Sequence, residues 1–163
     1  MTPQTPNTAI LGGNAMNPLL IAAGFSWVLA QTLKVLIGLW HYGSQDRPRI
    51  LWRILWAGGM PSTHSAMVSS STVVTFLSSG GQSVLFGLSL ILACIVIYDR
   101  SRMHSIYCRF QDRYPVFKKE VQNDPMLKDL MGHRLSELLA GVLIGLASGV
   151  GTMQLFAYGT KVY

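Results

Sequence analysis

The chain has 163 residues, of which 50% are hydrophobic and only 12% are charged. Soluble domains usually carry about 25% charged residues, so this composition disfavours a soluble protein and predicts one membrane domain covering residues 1–163. The formal net charge of +6, in so apolar a chain, is more typical of basic membrane loops than of nucleic-acid binding, and no nucleic-acid partner is expected.

Four apolar segments are predicted to cross the membrane as helices: residues 18–40, 62–79, 82–98 and 135–158. A helix needs about 20 residues to span the hydrocarbon core, so the second and third segments lie near the lower limit. The second is rich in serine and threonine, which suits a helix buried among other helices. The predicted fold is an all-α polytopic membrane bundle of about four transmembrane helices with an interfacial helical loop.

The charges of the connecting segments predict the orientation. Loop 41–61 contains three arginines and one aspartate, and loop 99–134 contains eight basic and five acidic residues. Lysine and arginine accumulate in cytoplasmic loops, so both loops are expected in the cytoplasm and both termini on the opposite side. Aromatic residues at roughly helical spacing predict an amphipathic interfacial helix in the second loop, which Pro115 either interrupts or restarts.

The last segment has Gly141, Gly145 and Gly149 at intervals of four residues. Small residues at this spacing form one face of a helix and allow a neighbouring helix to approach closely. The stripe therefore predicts a close-packed helix contact, and a homo-oligomer could form through the same face.

Two histidine clusters fall at predicted helix starts on the same side of the membrane. One is Gly58–Ser65, GGMPSTHS, and the other is Gly132–Glu137, GHRLSE. Free N–H groups and the helix dipole favour an anion at a helix start. Gly59 and Gly132 would let the backbone approach a ligand, and Ser62 and Thr63 would add hydroxyl donors. The pattern predicts a phosphate-binding site.

His133 and Glu137 are four residues apart and share one helix face. A carboxylate on one ring nitrogen of a histidine fixes its tautomer and leaves the other nitrogen free to attack. His64 would then protonate the leaving group. Glu137 is the only acidic residue in the four predicted spans, which favours a functional role for it.

The segments GGMPSTHSA, IVIYDRS and LMGHRLSELLAG occur in that order. In this they resemble the divergent branch of the type 2 phosphatidic acid phosphatase and vanadium haloperoxidase superfamily, over about residues 18–155. The stretch Pro61–His64 looks like the P-S-G-H motif of the wider superfamily. His133-x3-Glu137 looks like its H-x3-D motif, with glutamate in place of aspartate. The resemblance implies phosphoryl transfer through a phosphohistidine, without a metal or other cofactor.

The arginine motif departs from that pattern. The divergent branch carries Y-D-x-x-G-V-R-R, whose first two residues match Tyr98 and Asp99, while the arginine pair is replaced by His104 and Ser105. Arg100 or Arg102 would then hold the phosphate. Asp99 is assigned equally to structure and to function.

Lys34 interrupts the first apolar segment. It is expected either to extend towards the cytoplasmic surface or to point at the phosphate. The first alternative is favoured.

The predicted function is hydrolysis of a lipid-linked or amphiphilic phosphomonoester at the cytoplasmic membrane face, with membrane lipid and the phosphate substrate as partners. The alternative is a non-catalytic lipid-phosphate-binding or membrane assembly protein on the same fold. A metal site formed by His64, His133 and Glu137 is ranked lowest, because glycines and hydroxyls suit an anion better than a cation.

Overall fold

The computed structural model describes residues 17–42, 59–123 and 133–159, in which all regular structure is helical. The helices are α1 (Pro18–Tyr42), α2 (Thr63–Ser79), α3 (Val84–Arg113), α4 (Pro115–Asn123) and α5 (Leu135–Gly159). The all-α prediction is confirmed. Most of the predicted loop 41–61 lies outside the described residues.

Three of the described helices are long and apolar enough to cross a membrane: Pro18–Trp40 within α1, Val84–Arg113, and Leu135–Tyr158 within α5. The second predicted segment forms α2, which has only 17 residues. At 1.5 Å per residue it is about 25 Å long, short of the roughly 30 Å hydrocarbon core. The described residues therefore contain three candidate spans rather than four.

Helix α2 forms the centre of the bundle, since it packs against α1, α3 and α5. Its buried residues are small or hydroxyl-bearing, apart from one valine. Several of its hydroxyls bond to carbonyls three or four residues earlier in the same helix, as Ser70 does to Met67. This composition lowers the hydropathy of α2 but lets three helices approach it closely.

The glycine stripe of α5 is covered by α2 of the same chain. A Cβ atom on Gly141 would collide with the carbonyl oxygen of Ser62, and one on Gly149 would lie 2.8 Å from the Cβ of Val73. The predicted close-packed face is confirmed, and α2 and α5 run parallel. The suggestion that Gly141, Gly145 and Gly149 mediate a homo-oligomer is corrected, because their face is already occupied.

Helix α3 runs antiparallel to α2. The rings of Phe76 and Phe86 lie 5.2 Å apart near one end of the pair, and His64 meets Arg100 near the other. Because α2 and α5 are parallel, the starts of both helices and the second half of α3 meet at one end of the bundle.

Helix α3 continues to Arg113, fifteen residues beyond the predicted end of the third span at residue 98. Charged residues do not break a helix, and the sequence from 99 to 113 contains neither proline nor glycine. The helix ends just before Pro115, which disfavours helical geometry at the preceding residue. Pro115 then occupies the first position of α4, so it starts a new helix.

Helix α4 packs its aromatic residue onto the end of α3. Phe117 makes edge contacts with Tyr107 and Phe110, with ring centroids 6.3 and 5.5 Å apart. Part of the aromatic surface predicted to lie on the membrane interface is therefore used within the chain.

Candidate functional site

The turn before α2 is fastened to the start of α5. The backbone N–H of Ser62 donates to the carbonyl oxygen of Glu137 at 3.0 Å. The Ser62 hydroxyl oxygen caps α2, accepting from the Ser65 N–H at 3.4 Å and from the Ser65 hydroxyl at 3.1 Å. Gly59 has a φ of +97°, a conformation that favours glycine.

These contacts define which donors at the start of α2 remain for a ligand. The amides of Ser62 and Ser65 are engaged, as is the oxygen of the Ser62 hydroxyl. The amides of Thr63 and His64 are the other first-turn donors, and such groups have no partner within their own helix. Ser62 thus holds the turn in place, and an anion would meet the next two residues.

The start of α5 carries the predicted histidine–carboxylate pair. The Nδ1 atom of His133 lies 3.0 Å from Oε2 of Glu137, and the Arg134 N–H donates to the same oxygen at 3.2 Å. The His133 side chain is 5% exposed and that of Glu137 is 19% exposed. Because an ionised carboxylate only accepts, Nδ1 carries a proton, and Nε2 lies on the side of the ring that does not contact Glu137.

Helix α3 contributes an arginine to the site. The Arg100 guanidinium donates from Nη2 to Nε2 of His64 at 3.2 Å. The Arg100 carbonyl oxygen also accepts from the His133 backbone N–H at 3.4 Å. A single residue of α3 therefore contacts both histidine clusters, which lie 69 positions apart in the sequence.

The structure separates the two arginines that the sequence left as alternatives. The guanidinium carbon of Arg102 lies 6.0 Å from the centre of the Tyr98 ring, and its side chain is exposed. Two residues along an α-helix turn the side chain by about 200°, so Arg100 and Arg102 point in different directions. Asp99 is also exposed. Arg100 is the arginine brought to the histidines.

Lys34 of α1 is buried, with 2% of its surface exposed. The favoured expectation that it extends to the membrane surface is therefore wrong. Its positive charge instead lies close enough to His64 to help lower the pKa of that histidine. Four helices thus supply charged or titratable groups to this end of the bundle.

His64 lies outside the three candidate spans, and the residue is exposed. Partial burial lowers its pKa most, and nearby Arg100, His133 and Lys34 lower the pKa further, from 6.5 to about 4. The hydrogen bond leads to the same conclusion, because arginine can only donate and Nε2 must accept with its lone pair. His64 is neutral in this arrangement.

The structure brings together His64, His133, Glu137 and Arg100, whereas the sequence had left the choice between Arg100 and Arg102 open. The missing information was that α3 continues past residue 98, since helical spacing alone then separates the two.

Gly132 lies outside the described residues. Within the described ranges, no group of three or more His, Cys, Asp or Glu residues is arranged to hold a metal ion.

Comparison with known proteins identifies the family. Residues 15–148, which include every described residue of the histidine clusters, match the sequence profile of the Divergent PAP2 family. The chain belongs to the Divergent PAP2 family. The resemblance noted from the three sequence motifs is thereby confirmed over most of the chain.

A relative of this Divergent PAP2 protein is the uncharacterized membrane protein YuiD of Bacillus subtilis (strain 168). The two are 33% identical over 105 residues, a match that covers 55% of this chain and 66% of the relative. No solved structure matches the chain. The family, the membrane-protein relative and the three candidate spans together establish a helical membrane protein.

Proposed function

We propose that this Divergent PAP2 protein hydrolyses a lipid-linked or amphiphilic phosphomonoester through a phosphohistidine intermediate. The observation that carries the proposal is the His133 Nδ1 to Glu137 Oε2 contact of 3.0 Å. It directs the nucleophilic Nε2 of a buried imidazole away from the carboxylate. Arg100 of α3 joins the two histidine clusters, since its guanidinium donates to His64 and its carbonyl oxygen accepts from the His133 backbone N–H.

In the first step, Nε2 of His133 attacks phosphorus and the bond to the ester oxygen breaks. Glu137 holds the Nδ1 proton and stabilises the positive charge that develops on the ring. Arg100, the Thr63 hydroxyl and the amides of Thr63 and His64 hold the phosphoryl oxygens, and Lys34 adds positive charge nearby. His64, which becomes protonated when the negatively charged phosphate lies beside it, transfers its proton to the leaving alkoxide, which departs as an alcohol.

In the second step, water attacks the phosphohistidine and displaces His133. His64, now neutral, accepts a proton from that water, so the step releases inorganic phosphate and regenerates both imidazoles. The attack and the release both pass through the same trigonal arrangement of phosphoryl oxygens, so the same donors serve each step.

The membrane orientation is part of the proposal. The basic loops would place the starts of α2 and α5 on the cytoplasmic side, with both termini on the other side. A phosphate head group at the membrane surface would then reach the site while its acyl chains remained in the bilayer.

The test is release of inorganic phosphate from a lipid phosphate by the purified protein in nanodiscs. His133→Gln retains a side-chain donor for Glu137 but has no nucleophilic nitrogen, and we expect its phosphate release to fall to the background rate. The matched control is His104→Gln, because His104 contacts Cys108 within α3 and lies outside the cluster. Equal release by His133→Gln and the unmodified protein would rule out the mechanism.

One observation favours a second candidate, a non-catalytic lipid-phosphate-binding protein. Of the two arginines after Asp99, only Arg100 has its guanidinium on His64, while Arg102 lies over Tyr98. A single arginine stabilises less of the charge on a phosphoryl group in the transition state. This candidate is favoured if the nanodisc protein binds lipid phosphate saturably but releases no phosphate.

A further inference from the structure

The Arg100–His64 contact sets a condition on ligand binding. In the structure, Nε2 of His64 accepts a hydrogen bond from Nη2 of Arg100 at 3.2 Å. That nitrogen cannot be protonated while it accepts, and two cations cannot share the contact without repulsion. If Arg100 turns its N–H groups to an anion, the lone pair of His64 becomes available to a proton.

Charged or titratable groups lie near His64 on α1, on α3 and at the start of α5. They are Lys34 on α1, Arg100 on α3, and His133 just before α5 with its partner Glu137 in the first turn of α5. The Glu137 carboxylate is already hydrogen-bonded to His133. Lys34 and Arg100 carry two positive charges and the Glu137 carboxylate carries one negative charge. A ligand with two negative charges would therefore leave an excess of negative charge and would attract a proton to the neighbouring imidazole.

We propose that this site binds a doubly charged phosphate monoester group together with one proton, which His64 takes up as the ligand enters. The inference rests on the proposed function in so far as the ligand is a phosphate monoester, and it names the charge state of that ligand. A diester carries one negative charge, which the net single positive charge of Lys34, Arg100 and Glu137 balances, and so it does not require the proton.

In the free protein His64 is unprotonated, so it can take up a proton when the ligand binds. The pKa of His64, about 4 in the free protein, rises when a dianion lies beside it. Between the free and the bound pKa, binding and protonation assist each other. A lower pH therefore strengthens dianion binding within that window, by up to about tenfold per pH unit. Below pH about 4 the effect disappears, because His64 is already protonated.

The experiment uses inorganic sulfate, which remains doubly charged across this range, so any proton taken up comes to the protein. Calorimetric titration of the purified full-length protein in two buffers of different ionisation enthalpy counts the protons. We expect uptake approaching one proton per sulfate at mildly acidic pH. Methyl sulfate, with one negative charge, is the matched probe and is expected to bind without proton uptake.

The variants locate the proton. His64→Gln is expected to bind sulfate with no proton uptake and no pH dependence, whereas His104→Gln is expected to behave like the unmodified protein. The inference is overturned if His64→Gln still takes up a proton, if methyl sulfate causes the same uptake as sulfate, or if sulfate does not bind saturably.

The outcome is independent of turnover. Proton-coupled sulfate binding without phosphate release from lipid phosphate would overturn the proposed hydrolysis and leave the present inference standing. Phosphate release from lipid phosphate without proton-coupled sulfate binding would overturn the present inference and leave the proposed hydrolysis standing.

Discussion

At the scale of single residues, the site depends on which arginine faces the histidines. Its histidines and carboxylate could be predicted from sequence, because four-residue spacing places His133 and Glu137 on one helix face. The choice of arginine could not, since the third helix was predicted to end at residue 98, which left Arg100 and Arg102 without assigned helix faces. The burial of Lys34 also depends on the packing of α1, which the sequence of α1 alone does not contain.

Replacing each arginine by lysine tests this assignment. Arg100→Lys keeps the charge but loses the planar donor geometry that matches phosphate oxygens. We expect kcat/KM for lipid phosphate to fall by about 10–100-fold, or about 1.4–2.8 kcal/mol. Arg102→Lys, two residues away on the same helix, should change kcat/KM by less than about twofold. Equal losses in the two variants would contradict the role given to Arg100.

At the scale of helices, the glycine stripe of α5 fixes the position of α2 along α5, and so it determines where the starts of the two helices meet. Its close-packing role could be predicted from the four-residue spacing, but the partner could not, and the face turned out to hold α2 rather than a second copy. The short, hydroxyl-rich α2 is explained by the same contact. A helix surrounded by three others gains little from large apolar side chains if these keep its neighbours apart.

Adding a methyl group to the stripe tests its contribution to stability. A Cβ on Gly145 would collide with the Ala66 carbonyl oxygen, whereas one on Gly151 of the same helix would meet nothing within 4 Å. We expect Gly145→Ala to lower the free energy of unfolding by about 1–3 kcal/mol. Gly151→Ala should be neutral or stabilising by up to about 1 kcal/mol. Reversible unfolding in mixed detergent micelles measures both, and equal stability would contradict the packing.

At the scale of the whole molecule, helix directions bring the second half of α3 and the starts of α2 and α5 to one end of the bundle. The basic loops between the apolar segments predicted that both histidine clusters lie on the same side of the membrane, because lysine and arginine accumulate in cytoplasmic loops. It did not predict that α3 extends beyond the third span. That extension carries Cys108, an exposed cysteine, on the same side as the site.

Chemical labelling of Cys108 tests the proposed membrane orientation. A membrane-impermeant maleimide should not label Cys108 in intact cells and should label it in inside-out vesicles, because the proposal places the end of α3 in the cytoplasm. Cys108→Ala, which retains Cys94 in the apolar half of α3, identifies the signal. Labelling of Cys108 in intact cells would reverse the proposed orientation.

The central claim is that His133 carries the phosphoryl group, and direct detection of that bond tests it most closely. The purified protein in nanodiscs is mixed with lipid phosphate labelled in its phosphoryl group, and the reaction is quenched in alkali, in which phosphohistidine persists. We predict an acid-labile label on the peptide that contains His133 and none in His133→Gln. Phosphate release with the label absent from that peptide, or present on another residue, would contradict the account.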